Sequence, residues 1–84
     1  MLRLVFKWSA ARAFEKLHPQ VRSQILKKLQ FYSYQKNPLR FAEHLKDSTA
    51  GQWRFRIGDY RVLFDTVKDK IIILKVGHRK DIYG

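Results

Sequence analysis

The chain contains no cysteine, only two prolines and four glycines, and seven acidic residues against eighteen basic ones. Without cysteine there are no disulfides and no thiolate metal sites, and the redox compartment is left open. Metal-dependent nucleases need clustered carboxylates to hold Mg²⁺ beside the scissile phosphate. Here Glu15, Glu43, Asp47, Asp59, Asp65, Asp69 and Asp81 are scattered, and His18, His44 and His78 lack the spacing of metal ligands. No metal or other cofactor is therefore expected. The phosphate-cradling GxxxxGK(S/T) and GxGxxG loops and the GxSxG elbow are absent, which argues against nucleotide-cofactor chemistry and a serine nucleophile. No apolar run is long enough to span a bilayer, and the opening MLRLVF is too short for a signal peptide. A cytoplasmic protein with no membrane partner is the expectation.

What is abundant is positive charge. The 84 residues carry a formal net charge of +11 with an apolar fraction of 45% and an aromatic fraction of 14%. That apolar content fits a folded protein, and the length fits one domain over residues 1–84 with one small core. The first 45 residues hold nine Lys/Arg against two acids, and the remainder nine against five. Basic character thus covers the whole domain and favours a large polyanionic partner such as nucleic acid or a ribonucleoprotein.

The order of elements reads β-α-α-(short α)-β-β-β. Residues 2–7 (LRLVFK) alternate as a strand with Leu2, Leu4 and Phe6 inward. Ser9 is placed to cap a helix running through Leu17, with Ala10, Ala13, Phe14 and Leu17 at helical spacing. His18-Pro19 breaks the chain, and Pro19 suits the first position of a second helix reaching about Tyr34. Its stripe is Val21, Ile25, Leu26, Leu29 and Tyr32, while Phe31 and Tyr34 fall on the other side and are expected to pack under the following loop. Asn37-Pro38 opens a short third helix carrying Leu39, Phe41 and Ala42, and residues 47–51 (DSTAG) are turn material. The expected fold class is α+β, a small, mainly antiparallel sheet with helices packed on one face.

The most informative stretch is Gln52 to Tyr83. Gly58-Asp59 is a two-residue hairpin signal, which sets Ile57 opposite Tyr60, Arg56 opposite Arg61, Phe55 opposite Val62 and Arg54 opposite Leu63. Alternation then puts Trp53, Phe55, Ile57, Tyr60, Val62 and Phe64 on one face and Arg54, Arg56 and Arg61 on the other. Like charges facing each other across a strand pair cost roughly 0.2–1 kcal/mol, so an anion is expected on that face. The third strand, Ile71 to Gly77, follows a turn at Lys68-Asp69-Lys70. A two-residue turn would bring His78 to the arginine face; a three-residue turn would bring Lys75 and Arg79 there instead.

Such a face suits one reaction. Guanidinium forks match phosphate oxygens, and Arg54, Arg56 and Arg61 would stabilise the dianionic phosphorus formed when a ribose 2′-OH attacks a phosphodiester. Arginine stays protonated and makes a poor base, which leaves His78 and Tyr83 as the nearby titratable candidates. On the helices, Arg12, Arg22, Lys27 and Lys28 are placed to bind RNA phosphates. Simple phosphate binding by the arginines, a structural role for His78 and a core-closing terminal Tyr83 are the plain alternatives.

Leu45-Lys46, then WRFRIGDYRVLFD, then VGHRKDIY together resemble the RelE/ParE superfamily of bacterial and archaeal toxins, with the same order of elements over the whole chain. The resemblance implies an mRNA endonuclease of a toxin–antitoxin pair, held in check by a small acidic antitoxin. Such an enzyme enters the A site of the 70S ribosome, contacts mRNA and rRNA, and cleaves without metal to leave a 2′,3′-cyclic phosphate. It also implies that Arg61 stabilises the transition state, that Arg56, Arg79 and Tyr83 complete the catalytic set, and that Arg54 and Lys46 bind the substrate. RelE has lysines where this chain has Arg54 and Arg56, one of them linked to deprotonating the 2′-OH, which leaves the base open and raises the stake of His78. Two rival readings stand beside it: a ParE-like inhibitor of DNA gyrase without catalysis, and a non-catalytic RNA-binding module.

Overall fold

The computed structural model describes residues 2–46 and 51–82. Strand β1 (Arg3–Phe6) leads into helix α1 (Trp8–Glu15), helix α2 (Pro19–Tyr34) and a 3-10 turn over Pro38–Phe41. Strands β2 (Glu43–His44), β3 (Trp53–Ile57), β4 (Tyr60–Val67) and β5 (Lys70–His78) follow. They form one five-stranded sheet in the order β1-β5-β4-β3-β2. The pair β1–β5 is parallel and all other pairs are antiparallel. The α+β architecture expected from the sequence is therefore the one observed, with one strand more than anticipated.

The strand β1 passes into α1 without a loop. Lys7 still donates its N–H to Ile73 O at 2.8 Å, so the chain stays on the sheet until the residue that caps the helix. Lys7 takes the cap position and no side chain caps α1; Ser9, the expected cap, lies inside the helix. At α2 the expectation holds. Pro19 occupies the first turn, where its missing N–H costs nothing, and His18 caps it by accepting the Gln20 N–H on Nδ1 at 3.2 Å. Ile25, Leu29 and Tyr32 form the buried stripe, whereas Leu26 is exposed. It lies about 100° around the helix from Ile25, past the edge of the sheet contact. The third helix is a single 3-10 turn with Pro38 buried and no side-chain cap from Asn37. Phe31 rests edge-on against Phe41 at 5.9 Å but stays half exposed, and Tyr34 is largely in solvent. Of the turn expected over residues 47–51, residues 47–50 fall outside the described residues and Gly51 takes φ 132°.

Both helices cover one face of the sheet. Phe55 stacks on Phe64 at 4.3 Å and on Tyr32 of α2 at 4.5 Å. Around this column pack Ala10, Ile25, Leu29, Ile57, Val62, Ile71, Ile73 and Val76. Burying one such aromatic stabilises the fold by roughly 1.5–3 kcal/mol, and the same burial pushes the Tyr32 hydroxyl above its ordinary pKa. The opposite face carries no helix, and there Arg54, Arg56 and Arg61 lie. No described helix is long and apolar enough to cross a membrane.

Candidate functional site

The hairpin at Gly58-Asp59 forms in the register its sequence specifies: Ile57 opposite Tyr60, Arg56 opposite Arg61, Phe55 opposite Val62 and Arg54 opposite Leu63. Gly58 takes φ 58°, a conformation that costs glycine nothing. With Phe55 and Val62 committed to the core, period-two alternation sends Arg54, Arg56 and Arg61 to the helix-free face.

Those arginines do not wait for an outside anion. Strand β2, too short to be read from alternation, pairs with β3 so that Glu43 lies opposite Arg54. Its carboxylate contacts both neighbouring guanidinium groups, Arg54 Nη2 at 2.9 Å and Arg56 Nε at 3.7 Å. Glu43 thus relieves the crowding of positive charge on this face. Sequence reasoning counted it among scattered acids, because nothing local marks two residues as a strand. Arg61 is only 7% exposed. Its Nη1 donates to Gly58 O and Tyr60 O, both at 2.9 Å, which locks the planar group at the hairpin turn. Among the described residues both hydrogen bonds of the Arg61 side chain are made by Nη1.

The second hairpin has the expected two-residue turn, with Val67 opposite Lys70. A β-bulge intervenes: Phe64 pairs with Ile73 but Leu63 with Lys75, so Leu74 and Lys75 together oppose one residue. Every later residue of β5 changes sides. His78 consequently pairs with Tyr60, meets its ring edge-on at 5.3 Å, and sits on the helix-bearing face. Its Nδ1 accepts the Lys80 N–H at 3.1 Å. The structure does not bring His78 to the arginines, contrary to what a two-residue turn alone predicts.

Gly77 pairs with Arg61 instead. After His78 the chain turns back, with the N–H groups of Asp81 and Ile82 both bonded to His78 O. Ile82 is buried against Gly77; a Cβ added there would lie 3.3 Å from its Cδ1. Arg79 stands beside the first hairpin, its N–H on Asp59 O at 2.8 Å and its Nε 3.7 Å from Asp59 Oδ1. Tyr83 follows Ile82 directly but lies outside the described residues.

The remaining basic candidates are dispersed. Lys46 is exposed just beyond β2. Lys27 and Lys28 are exposed on α2, which packs on the opposite face of the sheet from Arg56 and Arg61. Arg22 is partly committed to the fold, since its Nη1 donates to Glu15 O at 2.9 Å and ties α1 to α2. Among the described residues no three acids or histidines converge as a metal would require.

The comparisons with known proteins fit this arrangement. The family model described as ParE toxin of type II toxin-antitoxin system, parDE, matches residues 4–83. The chain belongs to the RelE/ParE superfamily of type II toxins. Toxin RelG of Mycobacterium tuberculosis is 34% identical over 80 residues, covering 93% of this chain and 91% of the relative. The toxin-antitoxin complex RelBE2 of Mycobacterium tuberculosis contains a chain that superposes with TM-score 0.76 at 29% identity, covering 93% of this chain and 98% of that one. The archaeal RelE-RelB complex of Pyrococcus horikoshii OT3 gives 0.71 at 26%, covering 95% and 97%. The intact RelBE complex of E. coli matches at TM-score 0.73 and 21% identity, over 93% of this chain and 96% of that one, a likeness of fold alone. As a RelE/ParE toxin, the chain presents its helix-free, arginine-bearing face as the place to look for activity.

Proposed function

We propose that this RelE/ParE toxin is a ribosome-dependent, metal-independent mRNA endoribonuclease that stops translation by cleaving mRNA in the ribosomal A site. The observation that carries the reading is the Arg56–Arg61 cross-strand pair on the helix-free face, with Arg54 and Glu43 alongside. Arg61, locked by two carbonyls, holds fixed positive charge where charge develops on phosphorus, and such preorganisation is often the largest catalytic term. Arg56 and Arg79 flank it, and Arg54 and Lys46 extend the phosphate track. The ribose 2′-oxygen bonds to phosphorus, the bond to the 5′-oxygen breaks, and a 2′,3′-cyclic phosphate remains. With His78 on the other face, Glu43 takes the 2′-OH proton in this reading, and Tyr83 is the titratable candidate left to assist proton transfer at the leaving oxygen. A small acidic antitoxin is the natural regulator of a +11 chain, and the solved relatives named above are complexes with RelB.

Induction of the wild-type chain should cut mRNA at ribosome-positioned sites. Arg61→Ala should lose on the order of 10²–10³-fold in cleavage, the usual cost of one oxyanion-stabilising donor. Glu43→Gln should depress the cleavage rate, read on ribosomes with the same mRNA. Cleavage by Arg61→Ala at the wild-type rate would sink the assignment. One observation favours a second reading: the matching family model is described as ParE toxin, a branch whose members inhibit DNA gyrase. Induction that raises the SOS response while leaving mRNA intact would select that branch.

A further inference from the structure

The outer face of α1 takes no part in the site described above. Trp8, at the first position of the helix, is 72% exposed. The guanidinium carbon of Arg12 lies 5.0 Å from the centre of its ring. Lys16 follows another four residues on, so an indole and two cations line up along one face, spaced by about 6 Å of helix rise per step. Ala11 forms a low floor beside them, and Glu15 borders the groove. The fold has little use for this ring. It is absent from the core cluster, and the helix is held to the sheet through Ala10 and Phe14. Lone surface apolar residues are ordinary; an exposed indole aligned with two cations, in a chain of net charge +11, has the components of a nucleic-acid platform.

We propose that Trp8, Arg12 and Lys16 form a stacking site for an unpaired nucleobase of RNA, independent of the arginine face. The base lies on the indole face opposite the Arg12 guanidinium, which already stands over the ring, and the adjoining phosphates are met by Arg12 and Lys16. Every base has a π-face, so binding of this kind is tolerant of sequence and strongly dependent on salt. The net charge of +11 favours a polyanion, and the planar ring is matched by the π-face of a base. Arg12 is already oriented by the ring, so little ordering remains for the bound state. The site would hold the toxin on an RNA-rich surface, away from the scissile phosphate.

Trp53 is the only other tryptophan, so Trp53→Phe leaves Trp8 as the sole reporter of emission. A short single-stranded RNA should quench Trp8 in that variant, and equally when Arg61→Ala is added, which separates this site from the cleavage reading. Trp8→Ala should weaken RNA binding about ten-fold, within the range known for base–aromatic stacking, while Trp8→Phe keeps most of it. An abasic phosphodiester of the same length should bind without quenching and be indifferent to Trp8→Ala. Circular dichroism checks that the variants fold. The proposal is overturned by unchanged RNA affinity in Trp8→Ala, by equal quenching with the abasic oligomer, or by equal quenching with poly-glutamate, which would mark a protein-binding face.

Discussion

The two hairpins of the β3–β4–β5 meander share a strand and a turn length, yet only the first obeys a simple count. From Gly58-Asp59 outward, each pair between β3 and β4 follows the alternation of the sequence. From Lys68-Asp69 outward, the count holds for four pairs, Val67–Lys70 to Phe64–Ile73, and then fails at the Leu74–Lys75 bulge. The turns differ as well. Glycine takes the left-handed position in the first, whereas in the second Lys68 does so at φ 55°, a conformation that costs a residue with a Cβ roughly 1–2 kcal/mol. Sequence thus encodes the first hairpin in residues that are themselves in contact. The second depends on what lies around it. Leu74 is the residue accommodated by the bulge, and Gly51 packs so closely on it that a Cβ there would sit 3.1 Å from its Cδ1.

Three comparisons sharpen this contrast, beginning with the largest effect. Phe55 and Arg56 are neighbours on β3 but face opposite ways. Phe55→Ala should cost about 3–5 kcal/mol in chemical denaturation, while Arg56→Ala should stay within about 0.5 kcal/mol and lose activity instead. Equal stability losses would mean that the two faces are not distinct. Next, Arg61 and His78 end up on opposite faces because of the bulge. Arg61→Ala should reduce ribosome-dependent cleavage by roughly 10²-fold or more; His78→Ala should leave it within a few-fold and cost about 1 kcal/mol of stability through the lost Lys80 contact. A His78→Ala variant as inactive as Arg61→Ala would show that pairing does not decide function here. The smallest effect concerns the turns. Gly58→Ala should destabilise by about 1–2 kcal/mol, with Gln24 Nε2 only 3.1 Å from the added Cβ. Lys68→Gly should be neutral or stabilise by up to about 1 kcal/mol. Thermal melts of the two variants should move in opposite directions or differ clearly in size.

Most of the fold was legible because its signals are local. Proline at the start of α2, the Ile25–Leu29–Tyr32 spacing and the Gly58 turn each act within a few residues of themselves. The site was legible only in part. Arg54, Arg56 and Arg61 share a face through alternation alone, which their sequence spacing records. Glu43 was missed because β2 is two residues long and exists through its pairing with β3. Ser9 was misassigned as a cap because a strand hydrogen bond from Lys7 to Ile73 leaves no loop before α1.

By itself, then, the sequence determined a basic α+β domain, the register of one hairpin and the arginines that share its outer face, since composition, periodicity and turn chemistry are properties of short stretches. Tertiary structure decided three further things. Glu43 meets Arg54 and Arg56 because a distant segment joins the sheet edge. His78 is turned away from them because one extra residue in β5 reverses every side chain beyond it. Ile82 folds back onto Gly77, the cross-strand partner of the buried Arg61. The first two depend on strand pairing between separate segments, and the third on a turn that follows the last strand, so none is visible in the alternation of a single strand.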